Sequence, residues 1–115
     1  MPDPSTLLDA RLAALADPTR RAMVARLARG EASVQELAAP FSISQPAISR
    51  HLKVLEEAGL IETRIQGTAR PRRLRPEALE DLWSWLGELR QALDSNFDRL
   101  DQLLAELHPG MEDKT

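Results

Sequence analysis

The chain has 115 residues, 43% of them hydrophobic and 29% charged, the proportions of an ordinary globular protein forming one domain over 1–115. It has no cysteine, which excludes disulfides, thiolate metal centres and thiol redox switches, and no apolar run approaches the roughly 20 residues of a membrane span. The net charge of −3 hides an asymmetry, since residues 1–41 balance while 42–75 hold seven basic against three acidic side chains and 76–115 hold three against ten.

In chain order, Leu7, Leu8, Leu12 and Leu15 recur at helical spacing and predict a helix over 5–16, capped by Ser5 or Thr6. Asp17-Pro18 interrupts it, because a residue before proline is pushed out of the α region while proline suits a first turn. Asp17 therefore caps a second helix reaching about Arg29, with Gly30 following its end. Ser33 and Glu36 have the spacing of a capping box and open a short third helix that stops at Pro40. Ser44 caps a fourth, with Pro46 inside its first turn, running to Ala58 and ending at Gly59.

From Leu60 the period changes to two. Ile61, Thr63 and Ile65 alternate with Glu62, Arg64 and Gln66, a strand pattern, and residues 66–69 make the turn. Residues 70–75 return as a second strand, where Pro71 is tolerable because a two-stranded ribbon is all edge. From Pro76 the apolar residues Leu79, Leu82, Leu86, Leu89, Leu93, Phe97, Leu100, Leu104 and Leu107 form a near-heptad stripe with one irregularity. Two readings fit: one long helix with a stutter, or two helices bent near Gly87. The stripe is longer than a small core can cover, so pairing with a second copy is expected to bury it, with Trp83 and Trp85 as anchors, or Trp83 as a simple core aromatic.

The fold class is thus mainly α with a small β-hairpin, in the order of a winged helix-turn-helix: helix-turn-helix over 33–58, wing over 60–75, C-terminal helical region over 76–107. On the fourth helix Ile48, Leu52 and Leu55 share one side, and Gln45, Pro46, Ser49, Arg50 and Lys53 lie on or flank the other. No acidic residue falls between Phe41 and Leu55 to repel phosphates. Arg50 can bond guanine in bidentate fashion, Gln45 can read adenine, and Ser44 and Ser49 can reach base edges or phosphate. His51 sits beside the apolar face and is read either as packed against a neighbour or as touching a phosphate. Arg64, Arg70, Arg72 and Arg73 are the wing candidates for the DNA backbone or minor groove.

These residues are familiar as a set. LADPTRRA at 15–22, ELA at 36–38 and SQPAISRHLKVLEEAGLI at 44–61, followed by a short wing, resemble the ArsR/SmtB family of bacterial regulators over roughly residues 7–80. The resemblance implies a homodimeric repressor of double-stranded DNA that binds an inverted repeat through 44–58 and is released by an inducer or other signal whose chemistry these residues do not define. In thiol-based metal-sensing members a Cys-x-Cys pair stands at the positions of Ser33 and Gln35, so that site is absent here. Zinc-sensing members use Asp and His on the last helix, but this stripe has no histidine before His108, and Asp94, Asp98 and Asp101 offer only oxygen. No metal or other cofactor is expected. The long acidic last helix resembles the family's metal-independent branch, in which the terminal helices form the dimer; Leu8, Leu12, Leu93, Phe97, Leu100, Leu104 and Leu107 are the interface candidates.

Three other readings fit the residues less well. A catalytic role has little support, because there is no cysteine nucleophile, no Gly-rich phosphate loop and only two histidines. A metal-responsive repressor with a carboxylate site is disfavoured by the donor chemistry. A winged helix used for protein interaction calls for an acidic or apolar outward face on the fourth helix, and Arg50 and Lys53 oppose that. The start of the chain has no basic segment followed by an apolar one, so a cytoplasmic location is expected.

Overall fold

The computed structural model describes residues 3–107. Its elements are α1 (Pro4–Ala14), α2 (Pro18–Leu27), α3 (Val34–Ala38), α4 (Gln45–Glu57), β1 (Ile61–Thr63), β2 (Arg72–Leu74) and α5 (Pro76–Leu107). The chain divides into two compact units, Met1–Asp81 and Leu82–Thr115.

In the first unit, each helix start has a local cause. Asp3, rather than Ser5 or Thr6, caps α1: its carboxylate accepts from the Ser5 N–H at 2.7 Å and the Thr6 N–H at 3.1 Å. An acidic cap also opposes the positive end of the helix dipole, which favours Asp3 over a hydroxyl. Helix α1 ends at Ala14, two residues short of the prediction, as Leu15 becomes the C-cap and Asp17 turns to cap α2. Helix α2 likewise closes early, at Leu27, and Gly30 follows with φ +142, a backbone angle that glycine adopts readily. The Ser33 and Glu36 capping box is present in both directions. Ser44 Oγ accepts from the Ala47 N–H at 3.3 Å to start α4, and Gly59, at φ +75, follows its C-cap, Ala58.

Met23, Leu37, Ile48, Leu55, Leu60 and Ile61 are the large side chains removed from solvent, each worth about 1.5–3 kcal/mol of burial. Helix α4 packs against α1, α2 and β1. The hairpin is antiparallel, with Ile61 opposite Leu74, Glu62 opposite Arg73 and Thr63 opposite Arg72.

Two strand expectations are corrected. The first strand is shorter than the alternation of residues 61–66 predicts. Ile61 is buried, but Thr63 is exposed and Ile65 is 75% exposed, because β1 ends at Thr63 and the chain leaves the core there. The ribbon is also not all edge. Ala32 and Arg72 exchange backbone hydrogen bonds of 3.0 and 2.8 Å, so the chain before α3 covers the outer side of β2. Pro71 lies just before that pairing, and its carbonyl accepts from the Arg64 N–H at 2.8 Å. The turn closes as read: Gln66 and Ala69 bond to each other in both directions, with Gly67 at φ +61.

Helix α5 is continuous through Gly87, which decides between the two readings of the terminal stripe. In the second unit Leu86, Leu89, Leu93, Phe97, Leu100, Leu103, Leu104 and Leu107 are each between 48% and 63% exposed. Trp83 is 78% exposed, which removes it from any core, while Trp85 is half-buried. His108 lies outside the described residues. Among those residues no helix is long and apolar enough to cross a membrane.

Candidate nucleic-acid interface

The amphipathic division of α4 decides what it can present. Ile48, Leu52 and Leu55 are buried, which fixes the rotation of the helix about its axis and turns Gln45, Pro46, Ser49, Arg50 and Lys53 outward, all exposed. Arg50 enters none of the ion pairs formed among the described residues. Lys53 is 3.9 Å from Glu57, an exposed pair of little strength. Ser44 is exposed and its oxygen is engaged as the helix cap, leaving the hydroxyl proton available to an outside acceptor.

His51 is held inside the chain. Its Nδ1 lies 3.2 Å from Nη1 of Arg20 and 3.9 Å from Oδ2 of Asp17, at the start of α2. Of the two sequence readings, packing against a neighbour describes its position. Asp17 is held below the usual carboxylate range by the Arg20 backbone N–H, with smaller help from the His51 and Arg20 charges against an opposing effect of burial.

The four wing arginines, equivalent in the sequence, are not equivalent in space. Arg64 pairs with Glu31 at 2.9 Å, and Arg73 pairs with Glu62 across the hairpin. Arg72 is the most enclosed, at 18% side-chain exposure. Its Nε donates to Glu56 at 3.1 Å and its Nη1 to the Arg70 carbonyl. Among the described residues Arg70 donates only to the carbonyls of Gly67 and Ala69, each at 2.9 Å, and pairs with no carboxylate. The uncompensated cations of the basic segment are therefore concentrated on the outward face of α4 and at the wing turn.

Three residues that organise this surface were not singled out from the sequence. Glu56, read only as the acidic end of α4, accepts from both Arg72 and Thr63 and so ties the helix to the wing. Arg20 donates from Nε to the Ala14 carbonyl at 2.6 Å, joining the end of α1 to His51. Arg11 is buried and donates to Ala58 and Asp81. Only Arg11 left a signal: it stands four residues from both Leu7 and Leu15, inside the apolar stripe of α1.

A capped three-helix cluster with its third helix outward, followed by an antiparallel hairpin, defines a winged helix-turn-helix. A helix-turn-helix domain model matches residues 15–64. The HTH-type transcriptional regulator Rv2034 of Mycobacterium tuberculosis is 52% identical over 69 residues, 60% of this chain and 64% of the relative, so the match spans less than two thirds of that protein. The transcriptional repressor SdpR of Bacillus subtilis is 34% identical over 73 residues, 64% of this chain and 81% of the relative. Among solved structures, the ArsR family transcriptional regulator RHA00566 superposes with a TM-score of 0.74 at 39% identity, over 83% of this chain and 98% of that one. The chain belongs to the ArsR family of helix-turn-helix transcriptional regulators, a family of DNA-binding proteins rather than enzymes.

Proposed function

We propose that the protein is a cytoplasmic homodimeric repressor that binds an inverted-repeat operator in double-stranded DNA, placing α4 in the major groove and the wing turn on the adjacent backbone or minor groove. The observation that carries this reading is the outward face of α4: Arg50 and Lys53 stand exposed beside Gln45 and Ser49, with no acidic side chain before Glu56. Arg50 and Gln45 are assigned to base edges; Ser44, Pro46, Ser49 and Lys53 to the groove wall and phosphates; Arg70 to the backbone at the wing. Arg64, Arg72 and Arg73 reach DNA only by leaving their carboxylate partners, and His51 by leaving Arg20, so their contribution is assigned to shaping the surface.

Dimerisation is assigned to the terminal helices. The exposed stripe Leu93, Phe97, Leu100, Leu104 and Leu107 exceeds the scattered apolar residues of a monomer surface, and Leu8 and Leu12 of α1 are its proposed companions. A symmetric dimer fits an inverted repeat with half-sites about one helical turn apart.

The test is selection from a random duplex pool, followed by footprinting of the selected site at several salt concentrations. A protected inverted repeat whose affinity falls steeply with salt is expected. Failure to enrich any sequence, with Arg50→Ala leaving residual binding unchanged, overturns the reading.

A further inference from the structure

Among the described residues Arg11 is the only charged side chain buried with the core, at 8% exposure. Its fork is used in three directions. Nε donates to the carbonyl of Ala58 at 3.0 Å, and Nη1 donates to Oδ2 of Asp81 at 2.9 Å. Nη2 lies 3.2 Å from the point where a Cβ on Gly59 would stand.

Each contact falls on a joint of the fold. Ala58 is the C-cap of α4, and its carbonyl belongs to the last turn, where intrahelical donors run out and a cation is electrostatically favoured. Gly59 turns the chain from α4 toward β1 at φ +75, so a side chain there is both strained and crowded by the guanidinium. Asp81 lies in the second turn of α5. A leucine or methionine at position 11 would continue the stripe of Leu7 and Leu15 without the desolvation that a buried cation entails. What the guanidinium adds is direction, because its planar donors hold partners at fixed angles where an apolar side chain tolerates sliding.

We infer that Arg11 is a positioning residue for DNA binding, fixing the C-terminal end of α4 to the start of α5 so that the two recognition helices of a dimer keep one spacing. The inference rests on the DNA-binding dimer proposed above. In such a dimer both half-sites are engaged at once only if each α4 is held firmly to the element that leads into the dimer contact. Loosening that joint lowers the effective concentration of the second helix and leaves the first contact intact.

The experiment measures full-length wild type, Arg11→Met, Asp81→Ala and Asp81→Asn on two duplexes, the inverted repeat selected by the wild type and the same duplex with one half-site scrambled, at a temperature where each variant is folded. Arg11→Met is expected to lose roughly tenfold on the paired site and less than about threefold on the single half-site. Asp81→Ala is expected to move the ratio in the same direction by a smaller factor, and Asp81→Asn, which keeps an acceptor oxygen, to recover most of it. Asp81 has a side chain 70% exposed, so its variants decide the matter if Arg11→Met does not fold. A merely structural role lowers both affinities together and leaves the ratio unchanged, and that result in the folded variants overturns the inference alone. A wild type that selects no duplex, or binds both duplexes equally, overturns the dimer reading and this inference with it.

Discussion

The guanidinium of Arg20, in the first turn of α2, meets the ring of His51 on α4, with Nη1 3.2 Å from Nδ1. A guanidinium only donates, so the contact is a hydrogen bond when Nδ1 accepts. The same side chain donates to the carbonyls of Ala14 at 2.6 Å and Ala13 at 3.3 Å, at the end of α1. Arg20→Ala therefore leaves the Ala14 carbonyl and an imidazole without that donor, while the Ala13 carbonyl keeps the Ala16 N–H at 3.1 Å, and it is expected to destabilise the fold by about 1–3 kcal/mol in urea denaturation. His51→Ala is expected to have a smaller effect. Because the two share one contact, the double variant should fall short of the sum of the singles.

Arg50 and Lys53 share the exposed face of α4 but are assigned different chemistry. Arg50→Ala is expected to weaken binding to the selected site by about 1–3 kcal/mol and to relax preference at one base position, since a bidentate base contact is lost. Lys53→Ala should weaken all sequences alike and reduce the salt slope by about one, as one phosphate contact disappears. Titrations at four salt concentrations, on the selected site and on a scrambled duplex, separate the two. A Lys53 variant with altered sequence preference would contradict the assignment.

Most of the architecture was legible because its signals are local. Ser33 with Glu36, Ser44 ahead of Pro46, and Asp17 ahead of Pro18 each state a helix start within four residues, and all three caps are where the pattern placed them. The outward set on α4 follows from the burial of Ile48, Leu52 and Leu55 at helical spacing. What was not legible depends on partners far along the chain. Nothing near Arg64 announces Glu31, 33 residues away, and nothing near Arg11 announces Asp81, 70 residues away. The wing arginines looked interchangeable because a sequence lists charges without their counter-ions. The length of β1 was not legible for a related reason: the alternation from Ile61 to Gln66 marks two faces, but how far the strand stays paired and covered depends on distant neighbours, and Ile65 is left 75% exposed.

Arg70 and Arg72 are two residues apart on the return of the hairpin and should respond oppositely. Arg72, at 18% side-chain exposure and bound to Glu56, joins the wing to the end of α4. Arg72→Ala is expected to lower the thermal midpoint and to leave the Glu56 carboxylate without its main partner, whereas Arg70→Ala should leave the melting curve unchanged and weaken DNA binding alone. Paired melting and binding curves test this, and a destabilised Arg70 variant would count against the division.

Glu36 accepts from the backbone N–H of Ser33 at 3.1 Å and pairs with Arg26 at 3.3 Å. The Ser33 backbone and hydroxyl, with lesser help from Arg26, hold its carboxyl below the ordinary range. A carboxyl depressed in the folded state contributes stability that is complete above its unfolded pKa and is lost as pH falls through the folded one. Glu36→Gln is therefore expected to lower stability at neutral pH and to flatten the fall in stability below about pH 4.5. Denaturation midpoints from pH 7 to 3 provide the measurement.

The row of Leu93, Phe97, Leu100 and Leu104 on α5 is exposed, and under the proposed dimer a substitution there is expected to reach DNA binding through assembly. A charge placed in the middle of a paired apolar stripe must either be buried without a partner or separate the two copies, and separation is the smaller penalty when the monomer unit keeps its own core. Leu100→Asp is expected to shift sedimentation from dimer toward monomer at micromolar concentration while helical circular dichroism of the first unit's elements persists. Binding to the paired half-sites should fall by at least about tenfold, and binding to a single half-site should hardly change, because the second contact ceases to be intramolecular. A Leu100→Asp protein that remains dimeric would place the interface elsewhere on the chain.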